Sequence, residues 1–413
     1  MRGAAVTVVR NDEAESNDRP LNGMRVVDLT GSIAGPFCSQ TLSALGADVI
    51  KIEHPTRGDD TRSWSPPDWG SESAAFLANN AGKRSIGIDL KSTEGRQVVL
   101  DLASQSHVFL QNLRPGLVDK LGIGFGDLSS VNDRIIYCTI SAFGNAGERS
   151  SEPGYDPLMQ AAAGIMSVTG EAGRSPVRAG VSLVDQGSAL WAVIAILSAW
   201  CTREARDGPH LIETSLYETA LNWMPVHVAS YLANGTLPQP MGSGMAVIAP
   251  YEAYETANGS WLMIAAGNDR LFVRACSVLG LENLPTDERF HTNRERVRHR
   301  DELAAILGAC LLARPASEWV AEFRVAGVPV SIVQTIDQVV NDQQTEALEL
   351  LQPMVHKSIR NFRSVRPPLT INGTRVTHRF APPLLGENSC EVLREIGYSD
   401  QKISDLERGG IIA

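Results

Sequence analysis

The chain is predicted to fold as an α/β protein: a doubly wound parallel sheet in a large domain, with a smaller α+β domain after it. Three observations predict this. Strand-like and helix-like stretches alternate over roughly the first 145 residues. A hairpin pattern followed by helical stretches occupies about 241–330. Between them lies Ala189–Trp200, a run apolar but for Ser198, which reads as a helix entering a core.

In chain order, Met24–Leu29 (MRVVDL) is a β-rich apolar run and TGSIAGP is a turn. Phe37–Leu45 then reads as a helix opened by Pro36 in its first turn and ended by Gly46. ADVIKIE supplies a second strand, completing a parallel βαβ unit. A glycine turn after the first strand and Glu53 at the end of the second imitate a dinucleotide-binding unit. The imitation fails at Gly31-Ser32-Ile33-Ala34-Gly35, which is not GxGxxG. A basic turn and short strand follow in AGKRSIGIDL, then a helix over Thr93–Ser104. HVFLQNL is a strand that runs out into Asn112-Leu113-Arg114-Pro115-Gly116, and Ile135–Ile140 is another. Asp156–Gly170 reads as an apolar helix, His210–Ser215 as a strand, and Leu216–Leu232 as a helix interrupted at Pro225. Gly235–Met245 is rich in Gly and Pro, as linkers and mobile loops are. Tyr251–Ala266 reads as a hairpin turning at Ala257-Asn258-Gly259. Helices are expected over Asp269–Gly280, Asp301–Leu312, Trp319–Val325 and Ile336–Leu351, and two amphipathic helices end the chain.

A length of 413 residues suits about two or three domains. With 43% hydrophobic and 20% charged residues it can bury sizeable cores. A net charge of −10 argues against a nucleic-acid partner, which needs a basic surface. Six scattered cysteines, none at CxxC spacing, argue against a zinc site or disulfide framework and for a reducing cytoplasm. No metal-ligand spacing is seen. Residues 1–20 turn acidic after a short apolar piece and are expected to be a disordered tail without a signal sequence. Ala189–Trp200 is too short to span a bilayer, which takes about 20 residues, so no membrane is expected.

Asp185 stands before a small polar turn, Gln186-Gly187-Ser188, and the apolar run. It reads as a residue at or near a helix N-cap, and the positive end of the helix should keep it ionised at neutral pH. Such a carboxylate is either a plain cap or a nucleophile for an activated acyl group.

Seven stretches in order resemble the family III CoA-transferases, the group that holds formyl-CoA transferase, carnitine CoA-transferase and α-methylacyl-CoA racemase. They are LNGMRVVDLTGSIAGPFCSQTLSALGADVIKIEHPTRGDDTR, NNAGKRSIGIDL, QNLRPGLVDKLG, SAFGNAG, GYDPLMQAAAG, SLVDQGSALWAVIAILSAW and APPLLGENSCEVLREIGYS. The resemblance implies that Asp185 attacks an acyl-CoA thioester, and that CoA moves to a free carboxylic acid through aspartyl anhydride and aspartyl-CoA thioester intermediates. It implies CoA contacts at Ala34, His54, Ile88, Asp89, Leu90, Lys91, Asn112, Arg114, Lys120, Tyr155 and Asp156. Arg114 and Lys120 would face the phosphates, with Lys83, Arg84 and Arg62 adding to the positive field. CoA and acyl-CoA are then substrates, no cofactor is tightly bound, and no metal is required.

The resemblance also implies an interlocked homodimer. The domains would be a large CoA-binding domain over 21–225, a linker over 226–240, a small domain over 241–330 and a linker over 331–350. A segment over 351–413 would return to the large domain. Gly242-Ser243-Gly244 falls near a flexible glycine loop of some relatives, and is otherwise an interdomain linker. Trp223, Met224, Met241 and Met245 hint at an apolar acyl pocket, though such residues are more often core.

Two departures bear on the reaction. The formate-specific branch carries a glutamine where this chain has Ile33. The racemase branch carries a histidine before the aspartate of a GHD motif, where this chain has Gly154-Tyr155-Asp156. A tyrosine, with an ordinary pKa of about 10, is a poor base near neutral pH. Transferase chemistry is therefore favoured over the isomerase, and a non-catalytic CoA-binding protein is the third reading.

Overall fold

The strand β1 (Arg25–Leu29) lies at the middle of a six-stranded sheet. The others are β2 (Asp48–Glu53), β3 (Arg84–Gly87), β4 (Val108–Gln111), β5 (Ile136–Ser141) and β6 (His210–Ser215). The order is β3-β2-β1-β4-β5-β6, and every pairing is parallel. The structure, a computed structural model, describes residues 19–413. The expected tail over 1–20 lies outside the described residues except at its end, where Arg19 donates to the Thr377 carbonyl at 2.8 Å.

Parallel strands covered on both faces read as near-continuous apolar runs, as β1 and β4 at the centre do, whereas β6 (HLIETS) at the sheet edge leaves Leu211 and Glu213 exposed. Alternation divides the strand residues. Val27, Leu29, Ile50 and Ile52 share a core with Val98, Val99 and Leu102 of helix α2 (Thr93–Ser104). Asp28 points the other way, to helix α1 (Ala34–Ala44), where Ser39 donates to it at 2.6 Å. The central parallel α/β sheet expected from the sequence is thus present.

Several helix boundaries differ from expectation. Helix α1 starts at Ala34, before Pro36, which sits in the first turn where its missing N–H is not needed. Helix α3 (Asp156–Ala162) stops short of Gly170 because Gly164 takes φ +87°, and Ile165–Val168 is a separate turn of helix. Helix α4 (Leu183–Thr202) starts before Asp185, so Gln186-Gly187-Ser188 lies inside the helix and not in a turn. Its 20 residues make it long and apolar enough to cross a membrane by length and composition, which the run Ala189–Trp200 alone did not suggest. Half of it is buried in the protein, with α1, β5 and β6 against it. Helix α5 (Leu216–Asn222) ends before Pro225, which opens the next helix, Pro225–Asn234. The helix expected over Ile336–Leu351 is two short ones, Ile336–Val340 and Gln343–Ala347. Asp342 divides them, its carboxylate accepting from the Gln344 N–H at 2.7 Å as a cap does.

The chain divides into two compact units. The first holds the sheet: the described residues through Ala163, then Gly180–Pro225 and Glu346–Ala413. Its last segment returns to the sheet. Val392, Leu393, Ile403 and Leu406, from helices Ser389–Glu395 and Asp400–Arg408, join the core of Val27 and Ile50. The Asp89 N–H donates to the Ile411 carbonyl at 2.8 Å.

The second unit, Gly164–Ala179 and Val226–Thr345, contains the stretch 241–330. Its antiparallel sheet pairs Tyr251–Glu255 with Trp261–Ala265, the expected hairpin, and the latter with Val330–Ile332. Leu262, Ile264, Phe272, Leu303, Leu307 and Phe323 fill its core. Within it, the Gly242 N–H donates to the Gly170 carbonyl at 2.6 Å and Ser243 accepts from the Ala253 N–H at 2.9 Å.

Candidate active site

Strand order reverses between β1 and β4, and open α/β sheets bind ligands beyond the carboxyl ends of the strands at such a point. The loop after β1, Thr30–Ile33, is held there from two sides. Asn112, just past β4, accepts from the Gly31 N–H at 2.9 Å and donates to the Gly31 carbonyl at 2.8 Å. Asp59 accepts from the Ser32 N–H at 3.3 Å, beside a backbone φ of +65° at Ser32. Asp59 is fixed in turn by Lys51 at 2.8 Å, and Lys51 donates to the Thr30 carbonyl at 2.7 Å. Burial would raise the Asp59 carboxyl, but Lys51 and the hydrogen bonds from Thr61 together hold the group below its ordinary value. Asn112 is therefore a brace whose amide is engaged at both ends.

Two contiguous clefts open at this edge, sharing Gly31, Asp60, Leu113 and Leu117. The first, about 480 Å³, is lined by Ala34, Asn112, Arg114, Tyr155 and Asp185 among the expected residues. The second, about 340 Å³, is lined by His54, Ile88, Asp89, Leu90 and Lys91. Ten expected residues thus meet along one edge. Lys120 lines neither cleft and is exposed at the end of the short helix Leu117–Lys120. Asp156 lines neither, being 2% exposed. The sequence reading missed Arg57 and Asp60, which line the clefts from the turn after β2. The signal was there: PTRGDD follows a parallel strand directly, so it lies at the same carboxyl edge as His54.

The three further cations expected to add positive field are neutralised within the fold. Lys83 is buried against Asp28 at 3.1 Å and Asn80 at 2.7 Å. Arg62 bonds both oxygens of Glu53, at 2.7 and 2.8 Å, and stacks on Phe76. Arg84 is shared between Asp48 at 2.7 Å and Glu395 at 2.6 Å. The expected addition of these three to a positive field is therefore not found; Arg57, Lys91 and Arg114 are the cations that line the clefts.

Asp185 sits in the first turn of α4, 8% exposed, at the wall of the first cleft. It is not the cap. The preceding Ser182 makes no side-chain cap bond. One carboxylate oxygen of Asp156 accepts from both the Val184 N–H at 2.8 Å and the Asp185 N–H at 3.2 Å. The other accepts from Gln160 at 2.5 Å. Burial, with the charge of Asp156, raises the Asp185 carboxyl from 3.8 to about 7. The expectation that the helix end would keep Asp185 ionised at neutral pH is overturned, because the group is buried and Asp156 already occupies that end. A carboxylate desolvated in this way is a strong base when ionised, and it faces a cleft with room for an extended anion.

The model of "CoA-transferase family III" matches residues 21–389. The chain is 37% identical over 410 residues to an acyl-CoA transferase of Fusarium pseudograminearum (strain CS3096), across 97% of this chain and 90% of the relative. It is 33% identical over 395 residues to succinyl-CoA:glutarate CoA-transferase of Mus musculus, across 95% of this chain and 90% of the relative. Among solved structures, a CAIB/BAIF family protein from Brucella suis superposes with a TM-score of 0.82 at 35% identity, covering 91% of this chain and 99% of that one. Matched over nearly its whole length and similar throughout to named CoA-transferases, the chain belongs to CoA-transferase family III and is an enzyme of that class.

Proposed function

We propose that the enzyme transfers CoA from an acyl-CoA to a free carboxylic acid through covalent intermediates on Asp185. The observation that carries this reading is a buried carboxylate with its pKa raised to about 7, at the wall of a cleft that also holds Arg114. The Asp185 carboxylate attacks the thioester carbonyl and expels CoA thiolate, giving a mixed anhydride. The thiolate attacks the aspartyl carbonyl, releasing the donor acid and leaving an aspartyl-CoA thioester. The acceptor carboxylate displaces CoA, forming a second anhydride. The thiolate then takes the acceptor acyl group and regenerates Asp185. Each exchange trades one activated acyl group for another, so no step requires an external energy source. Burial around Asp185 limits the hydrolysis that would waste the anhydride.

The cleft cations Arg57, Lys91 and Arg114 suit the phosphates of CoA, Arg as a fork and Lys as a point charge. The relatives' names make succinyl-CoA and glutarate the first pair to test. The six free cysteines suit a reducing cytoplasm. The exposed apolar Leu190, Trp191 and Ile194 on α4 suit a homodimer that covers them. The isomerase reading lacks its base, since Tyr155 stands in the histidine position of the racemase branch.

The test is turnover with a panel of acyl-CoAs and acids, with borohydride trapping and mass spectrometry of the peptide bearing Asp185. Wild type should turn over and carry a reduced aspartyl adduct, and Asp185→Asn should show neither. Deuterium uptake at Cα of the acyl group, with no adduct, would move the enzyme to the isomerase class.

A further inference from the structure

We propose that Asp156 is the positioning residue of this reaction: by capping α4 it fixes the backbone that carries Asp185, and its charge cancels the positive end of the helix so that Asp185 keeps a nucleophilic carboxylate. This rests on the assignment of Asp185 as the nucleophile. It departs from the CoA contact that the resemblance implies for Asp156.

The geometry favours positioning over contact. Asp156 is 2% exposed and lines neither cleft. Both its oxygens are engaged, one by the Val184 and Asp185 N–H groups and the other by Gln160, itself fully buried. Pro157 follows it at the start of α3, so the backbone that presents the carboxylate is itself restricted. A carboxylate on two first-turn N–H groups takes up the partial positive charge of the helix end. Without it, that charge would stabilise ionised Asp185 and make it a weaker base and a poorer nucleophile. Nature's usual arrangement of an anion at a helix end is here used on the neighbour of the reacting group.

Other ionisable groups do not account for the effect. Among the elements packed against α4, α1 carries Cys38, β5 carries Tyr137 and Cys138, β6 carries His210 and Glu213, and α5 carries Tyr217 and Glu218. The cleft adds Asp60, Arg114, Glu152 and Tyr155. Beyond burial, Asp156 is the one charged group among the described residues that shifts Asp185.

The experiment is the pH profile of kcat/KM for wild type, Asp156→Asn and Asp156→Glu, with Asp185→Asn as control. The limb on the acid side reports the free enzyme's essential base. In wild type it should fall near pH 7. Asparagine keeps an oxygen for the two N–H groups but removes the charge, so the limb should move down by about one unit and the plateau kcat should drop, with KM for acyl-CoA unchanged. Glutamate, restoring the charge, should move the limb back toward that of wild type. An unmoved limb in a folded Asp156→Asn enzyme overturns the proposal. So does a rise in KM alone, which would return Asp156 to substrate contact. Should Asp156→Asn fail to fold, a wild-type limb near pH 4 overturns it by itself. Retained turnover in Asp185→Asn would instead defeat the nucleophile assignment, so the two failures are separable.

Discussion

At the residue scale, Asp185 is held where ionisation is costly. Between its ordinary 3.8 and about 7, the folded chain keeps a proton that the unfolded chain has released. Stability from this group is therefore greatest at low pH and is lost as pH rises through that window. Asp185→Asn removes the burden. It should unfold later in urea than wild type at pH 8, by of the order of 1–4 kcal/mol, and the advantage should vanish toward pH 4. Equal stability of the two proteins at pH 8 would show that Asp185 is not under strain. The place of Asp185 was legible in sequence, as an acid ahead of an apolar run. Its protonation was not, because it is set first by burial, which only the fold creates, and then by the charge of Asp156, 29 residues earlier in the chain.

At the scale of elements, the site depends on how closely α1 meets the end of β1. A side chain on Gly35 would put its Cβ 2.3 Å from the Thr30 Cβ, against backbone-tethered atoms that cannot swing away. Alanine gains about 1 kcal/mol of helix propensity, but overpacking costs about 1–3 kcal/mol. Gly35→Ala should therefore lower stability in chemical denaturation and weaken acyl-CoA binding, since the displaced loop lines the cleft. A stabilised Gly35→Ala protein would mean that the contact relaxes freely. Gln186-Gly187-Ser188 looks like a turn, yet it is helical, and Gly187 is small because a Cβ there would lie 2.7 Å from the Trp223 ring. Ser188 is tied to Thr219 at 2.8 Å for the same packing of α4 on α5. The strands and the βαβ order were legible from apolar runs and turns. The start of α4 was not, because packing partners and not local preference decide it.

At the scale of the whole molecule, charge placement separates structural cations from those at the cleft. Lys83, Arg62 and Arg84 read in sequence as basic residues near an anion site, and each is bound to carboxylates brought from elsewhere. Asp28 is 55 residues from Lys83, and Glu395 is 311 from Arg84. No local pattern announces such pairs, whereas Lys91 and Arg114 follow strand ends and were found. The Asp28–Lys83 pair has both side chains fully buried, so removing one partner leaves an uncompensated charge. Lys83→Met should cost about 3–5 kcal/mol in urea unfolding; an unchanged midpoint would mean that water or another cation replaces the ammonium.

Covalent transfer through Asp185 is tested by the fate of oxygen in a single turnover. The enzyme would be given an acyl-CoA and the best acceptor acid of the panel, labelled with 18O in its carboxylate, then quenched and digested. If the acceptor is joined to Asp185 as an anhydride, cleavage by CoA thiolate leaves one labelled oxygen on Asp185, and the peptide that bears it becomes heavier by that one isotopic substitution. Label confined to the acyl-CoA product and the acid pool, with Asp185 unlabelled after full turnover, would rule out an anhydride on Asp185.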